Sequence, residues 1–215
     1  MAIRYVLFDA ANTLIHKPLL CERMLSVLSA AGHSIPRPLL RRHHKLLSEC
    51  LPFPDRTSPG FYRTFNAELL YSLGIIPTND LLEQLFRACS YLPWAPFADT
   101  SVLTALPVPL GIVSNFNRTL PDLVASLFGP RLFRDISVSE TAGVAKPQRA
   151  FYEAALALAG VPAAEVLYVG DSIKLDMEPA QALGMPAILI DRDQHFPHFP
   201  RRLDSLHQLA GLLSG

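Results

Sequence analysis

The sequence predicts an α/β fold, a parallel sheet covered by helices and interrupted by a helical insertion, and three observations predict it. Four short apolar runs, Ile3 to Phe8, Leu110 to Val113, Val166 to Val169 and Ala187 to Ile190, each lead into a polar or turn residue and then a helical pattern. Runs this apolar suit strands buried on both faces, although a short run by itself does not exclude a buried helix segment. Gly160 and Gly184 stand where the intervening helices should end, which supports the alternation of strand and helix. The interval from Leu14 to about Tyr91 carries helical patterns and no convincing strand.

In chain order, the first run opens the sheet and the insertion follows. Its helical patterns cover Leu19 to Ala31, Pro38 to Leu51, Gly60 to Leu73 and Asp80 to Ser90. Gly32, Gly74, Pro52, Pro54 and Pro59 punctuate them, and Pro93 and Pro96 mark the return to the sheet. After the second run come a helix at about Arg118 to Leu127, a weaker strand at Asp135 to Val138 and a helix from Pro147 to Ala159. The third run leads into a helix from Lys174 to Leu183, and the fourth into a last helix near Leu203 to Leu213. On this reading residues 1–15 and 92–215 form the sheet domain and residues 16–91 the helical one. Within the insertion, His43 and His44 lie between Arg42 and Lys45 and read as a solvated basic helix face, since adjacent residues point to different sides of a helix. Phe61, Tyr62 and Phe65 read as exposed apolar residues facing the sheet domain, a substrate or a second copy.

Composition narrows the partners. The 215 residues hold 19 basic and 19 acidic side chains and are 50% hydrophobic, which excludes collagen, a disordered tail and a coiled coil. A formal charge of zero gives no electrostatic reason to expect a nucleic acid or an anionic membrane as partner, so a small molecule is expected. The three cysteines, Cys21, Cys50 and Cys89, lack CxxC spacing and suit reduced thiols used in packing. Met1 to Tyr5 run straight into a strand pattern, and no apolar run approaches the ~20 residues of a membrane span, so a cytoplasmic location is expected. Monomer and homodimer remain equally compatible with these features.

In parallel α/β sheets ligands bind at the carboxyl ends of strands, which directs attention to the residues just past each run. After the first comes Asp9, in Phe8-Asp9-Ala10-Ala11-Asn12-Thr13-Leu14; after the second, Ser114-Asn115; after the third, Gly170-Asp171-Ser172, with Asp176 five positions beyond Asp171. Lys146-Pro147 opens the helix between the last two. Carboxylates so gathered repel one another unless a cation sits among them. A hard divalent ion suits such a cluster, and Mg²⁺ fits because it is commonly held by one or two carboxylates, waters and a substrate phosphate. Asp9 is then a candidate nucleophile toward phosphorus. Mg²⁺ and Lys146 would offset charge on the transferred group, and Ser114 with nearby amides would bond its oxygens.

Taken together, these four groups of residues resemble the motifs of the haloacid dehalogenase-like (HAD) hydrolase superfamily, in order and over nearly the whole chain. Asp9 with Thr13-Leu14 corresponds to the first motif, Ser114-Asn115 to the second, Lys146-Pro147 to the third, and Gly170-Asp171-Ser172 with Asp176, Ala180 and Gly184-Met185 to the fourth. The stretches Ser114 to Arg118 and Ser139 to Gly143 are similar to the branch named after a rhythmically expressed fly gene. The resemblance implies a Rossmann-like sheet flanked by helices with an inserted α-helical cap after the first motif. It further implies Asp9, Ser114 and Lys146 as catalytic residues, Asn12, Thr13 and Asn115 as substrate-binding, and Asp9, Asp171, Asp176 and the carbonyl of Ala11 around Mg²⁺. The expected substrate is a phosphorylated small molecule, cleaved through an aspartyl-phosphate.

One position departs from the family. Its phosphatases carry a second aspartate two residues after the nucleophile, as general acid and base, and this chain has Ala11. Such a group contributes about 10²–10⁴-fold, so ester hydrolysis should be slow. The next position, usually glycine, is Asn12, which tolerates left-handed backbone better than other non-glycine residues. Three readings follow. One is a Mg²⁺-dependent phosphatase. Another is an enzyme like phosphonoacetaldehyde hydrolase, which resembles this chain in having alanine there and whose family forms a Schiff base on a cap lysine. Lys45 is the only lysine well inside the insertion. The third is a non-catalytic binding protein that keeps the fold.

Overall fold

The computed structural model describes residues 2–51 and 58–213. Two compact units emerge, one of Met1–His16 with Pro96–Gly215 and the other of Lys17–Ala95. In chain order the elements are β1 (Tyr5–Phe8), β2 (Ile15–His16), α1 (Leu20–Ala30), α2 (Arg37–Cys50), α3 (Pro59–Ser72), α4 (Asn79–Cys89), β3 (Ala95–Pro96), β4 (Leu110–Ser114), α5 (Leu120–Phe128), β5 (Asp135–Val138), α6 (Ser139–Ala142), α7 (Arg149–Ala159), β6 (Val166–Gly170), α8 (Glu178–Ala182), β7 (Ala187–Ile190), β8 (Arg202–Leu203) and α9 (Leu209–Leu213). A 3₁₀ segment covers Ala98–Ala105, and a wide π-type turn covers Ile173–Met177. Among the described residues no helix is long and apolar enough to cross a membrane.

The first unit is built on a six-stranded sheet in the order β5-β4-β1-β6-β7-β8, parallel throughout and flanked by helices. The strands predicted from apolar runs are buried along their length in β1, β4 and β6, as expected for a sheet covered on both faces. On one face Phe151, Tyr152 and Ala155 of α7 pack with Ala180 of α8 against Leu7, Val113 and Tyr168. Gly160 ends α7 with φ +68°, a conformation open to glycine without a Cβ penalty.

Two sequence expectations about this unit change. The helix expected over Lys174 to Leu183 is a π-type turn followed by the short α8, because Asp176 turns back toward the sheet. The helix expected near Leu203 to Leu213 begins instead as β8, with Leu203 paired to Ile190, and becomes helical only at Leu206. Sheet pairing overrides local helix propensity there.

The second unit is helical, with no strand among its described residues from 17 to 94. Met24 and Leu28 of α1, Leu40 of α2, Phe65 and Leu69 of α3, and Leu81, Leu82 and Leu85 of α4 form its core, each set spaced to share one helix face. Ser58 caps α3 by accepting from Phe61 N at 3.1 Å, and Thr78 caps α4 by accepting from Leu81 N at 3.2 Å. Pro52 and Pro54 lie outside the described residues.

Here too the structure corrects the sequence. His44 is half-buried, its ring 5.0 Å from that of Phe65, because it sits four residues after Leu40 on the stripe of α2 that faces the core. Phe65 is 2% exposed and Phe61 packs beside it, so neither stands free on the surface; among the described residues of this unit the exposed large apolar side chains are Leu39, Tyr71, Ile76 and Tyr91.

Candidate active site

Parallel register sets the site. Phe8 of β1 stands level with Ile112 of β4 and Val169 of β6, so Asp9, Ser114 and Asp171 emerge together at the carboxyl ends of three adjacent strands. One carboxylate oxygen from each of Asp9, Asp171 and Asp176 lies within 4.8 Å of the others. These side chains are nearly sealed from solvent: the residues are 7%, 9% and 1% exposed.

Lys146 lies among them. Its ammonium donates to Asp9 Oδ1 and to Asp176 Oδ1, both at 2.7 Å, and stands 5.6 Å from the centre of the Tyr168 ring. Burial opposes the charge on this lysine, yet Asp176 and Asp9 more than compensate and hold it protonated well above the usual lysine range. Asp9 moves in the other sense. Burial, only partly offset by Lys146 and reinforced by Asp176 and Asp171, pushes its carboxyl up to about 7. Ser114 Oγ donates to the same Asp9 Oδ1 at 3.3 Å. Asn115 grips the lysine backbone at both ends of its amide, donating Nδ2 to Lys146 O at 3.0 Å and accepting from Lys146 N at 2.7 Å. Its side chain therefore places Lys146.

Asp176 is the most enclosed of the three acids. Oδ1 accepts from Lys146 and, at 3.1 Å, from the Tyr168 hydroxyl; Oδ2 accepts from Ser172 N at 3.0 Å. Ser172 also caps the π-type turn, accepting from Leu175 N at 3.0 Å. With burial and Asp176 beside it, Tyr168 is held neutral well above the ordinary tyrosine range.

The turn after Asp9 closes on itself. Asn12 N donates to Ile15 O, while Leu14 N and Ile15 N both donate to Ala10 O; the Ala11 carbonyl takes none of these bonds. Asn12 adopts φ +62° and exposes its side chain. Thr13 is fully buried, and its hydroxyl has no hydrogen-bond partner among the described residues. In the other unit, Lys45 of α2 pairs with Glu49 at 3.4 Å.

Three contributors were not foreseen. Tyr168 sits inside the third apolar run, where a buried aromatic reads as core. Asp99 and Arg192 form an ion pair at 2.9 Å beside the Asn12–Thr13 turn. The strand-end rule applied to the fourth run would have reached Arg192, two positions past Ile190.

The family model of the haloacid dehalogenase-like hydrolases matches residues 3–184. A curated relative, haloacid dehalogenase-like hydrolase domain-containing protein 3 of Danio rerio, is 36% identical over 108 residues, which are 48% of this chain and 45% of the relative. Glyceraldehyde 3-phosphate phosphatase of Methanocaldococcus jannaschii is 40% identical over 58 residues, 27% of this chain and 25% of that protein. The matched stretches thus span less than half the length of these relatives. Among solved structures, a HAD phosphatase from Thermococcus onnurineus shares the fold with a TM-score of 0.60 at 20% identity, over 99% of both chains.

Proposed function

The chain belongs to the haloacid dehalogenase-like hydrolase family, and from that premise we propose that it is a Mg²⁺-dependent phosphatase that cleaves a phosphorylated small molecule through an aspartyl-phosphate on Asp9. The observation that carries the reading is the asymmetry of the Asp9 carboxylate. Oδ1 is anchored by Lys146 and Ser114, while Oδ2 has no hydrogen-bond partner among the described residues. The likeness to an archaeal phosphatase supports the substrate class.

Asp9 Oδ2 attacks phosphorus, the phosphorus bond to the leaving oxygen breaks, and its electron pair departs on that oxygen. Lys146 and Ser114 hold the opposite carboxylate oxygen and stabilise the charge developing beside them. A water oxygen then attacks the phosphorus of the Asp9 adduct, releasing inorganic phosphate and regenerating the carboxylate. Because Ala11 has no group to protonate the leaving oxygen, substrates whose leaving group is weakly basic turn over best.

The donor set fits magnesium, since all its atoms are hard oxygens and three carboxylates gather where Lys146 pairs with two of them. Asp9, Asp171 and the carbonyl of Ala11 would hold the ion, with Asp176 one step removed because its oxygens already accept from Lys146, Tyr168 and Ser172. When bound, it supplies positive charge that keeps Asp9 ionised and neutralises phosphate oxygens.

The phosphonate-cleaving alternative draws on Ala11, but Lys45, its candidate amine, is engaged in an ion pair with Glu49 at 3.4 Å. The test is phosphate release from a panel of phosphorylated metabolites with and without Mg²⁺. Release that needs both Mg²⁺ and Asp9 supports the reading; no release from any substrate defeats it.

A further inference from the structure

We propose that Arg192 is a positioning residue that holds the turn following Asp9 in its working shape, an inference that rests on the role given to Asp9 above. Arg192 lies just past the end of β7, at the same edge of the sheet as Asp9, Ser114 and Asp171. One side of its guanidinium grips the turn: Nη1 donates to Asn12 O at 3.1 Å and Nη2 to Thr13 O at 2.9 Å. The other side forms a fork on Asp99, with Nε to Oδ2 and Nη2 to Oδ1, both at 2.9 Å. The guanidinium carbon lies 3.8 Å over the centre of the Phe97 ring, and that ring stacks on His16 at 4.1 Å. Asp99 is itself fixed, accepting from Leu206 N at 3.0 Å.

A planar cation that bonds two consecutive peptide carbonyls fixes the orientation of both peptide planes. Those planes flank Thr13, and the first of them leads directly out of Asn12, which holds φ +62° despite carrying a Cβ. The turn's own side chains do little to keep it there, because among the described residues the Thr13 hydroxyl has no partner and the Asn12 side chain is exposed. Arg192 supplies from the far end of the chain what a glycine would supply through its own freedom. The same turn carries the carbonyl of Ala11 and follows Asp9 directly, so its shape sets where both point. Lysine keeps the charge but has no fork, and cannot hold two carbonyls and Asp99 together.

The test compares Arg192→Lys and Asp99→Asn with the parent, using hydrogen exchange, thermal unfolding and steady-state kinetics. For Arg192→Lys, amide exchange at Asn12, Leu14 and Ile15 should rise by about tenfold or more, while β1 and β6 amides keep their protection. The kcat for the best phosphorylated substrate should fall by about 10- to 100-fold with KM little changed. Adding Asn12→Gly to Arg192→Lys should recover part of the lost kcat, because glycine adopts the left-handed backbone unaided, and a merely structural role predicts no such rescue. Should Arg192→Lys fail to fold, Asp99→Asn carries the same exchange test. Unchanged exchange in the turn of a folded variant overturns the proposal, as does raised exchange with unaltered kcat. Absence of phosphate release by the parent instead defeats the reading of Asp9, and the exchange measurement still decides whether Arg192 holds the turn.

Discussion

A Cβ placed on Gly170 would stand 2.4 Å from the carboxyl carbon of Asp176, so the last residue of β6 must lack a side chain for that acid to fold back beneath it. Gly170→Ala therefore forces Asp176 outward and loosens its hold on Lys146. The variant should lose about 1–3 kcal/mol in chemical denaturation, typical of overpacking, and should bind Mg²⁺ more weakly. Parent-like values for both would show that Asp176 yields without consequence.

Asp171→Asn removes one charge from the acidic group while keeping the side chain's shape. Calorimetric titration should show Mg²⁺ affinity lowered by about tenfold or more, while the melting temperature stays the same or rises as repulsion is relieved. Equal affinity would exclude Asp171 from the metal site.

Asp9→Asn should abolish phosphate release and prevent formation of a fluoroberyllate adduct, detectable by mass spectrometry or ¹⁹F NMR. Turnover retained in this variant would rule out the nucleophile role, whatever the substrate.

Ala11→Asp introduces a carboxylate at the position that can protonate a leaving oxygen. Turnover of an alkyl phosphate should rise by up to about 10²–10⁴-fold, and that of an aryl phosphate by less, because a good leaving group needs little protonation. A folded, Mg²⁺-binding variant with no gain on either substrate would show that acid–base chemistry is not limiting.

His44 makes the helical unit sensitive to mild acid. Burial, with Lys45 adding to it, lowers this histidine from 6.5 to about 4. Between those values the unfolded chain binds a proton that the folded chain refuses, so stability falls as pH drops through the window and levels off below it. The loss is at most about 3 kcal/mol, reduced by the screening that partial exposure allows. Denaturant melts of the parent and His44→Leu should diverge across this range, with the variant showing the flatter profile; parallel profiles would mean that the histidine is protonated in place.

The sheet was legible because a strand covered on both faces needs an unbroken apolar run, and Ala187–Ile190 and Asp135–Val138 begin and end where the runs do. The four helices of the insertion fall within one residue of their predicted starts and ends, since their apolar spacing and caps are local signals. β8 escaped because two residues carry no pattern, and only pairing with β7 makes them a strand. At the site, the strand-end rule found Asp9, Ser114 and Asp171, and it would have reached Arg192 past the fourth run without disclosing what that side chain holds. Its significance depends on carbonyls at Asn12 and Thr13, some 180 positions earlier, and main-chain acceptors leave no trace in sequence.

The π-type turn over Ile173–Met177 also bears on how this chain should be aligned with others. It is closed by bonds that skip one residue more than an α-helix does, from Met177 N to Ser172 O and from Glu178 N to Ile173 O. One extra residue in a helical path advances everything after it by about 100°. A relative that keeps a plain α-helical turn at this point would present the same face of α8 with one residue fewer. Matching such a pair without a gap would put Asp176 opposite a side chain pointing elsewhere, and an acid present in both chains would read as a substitution.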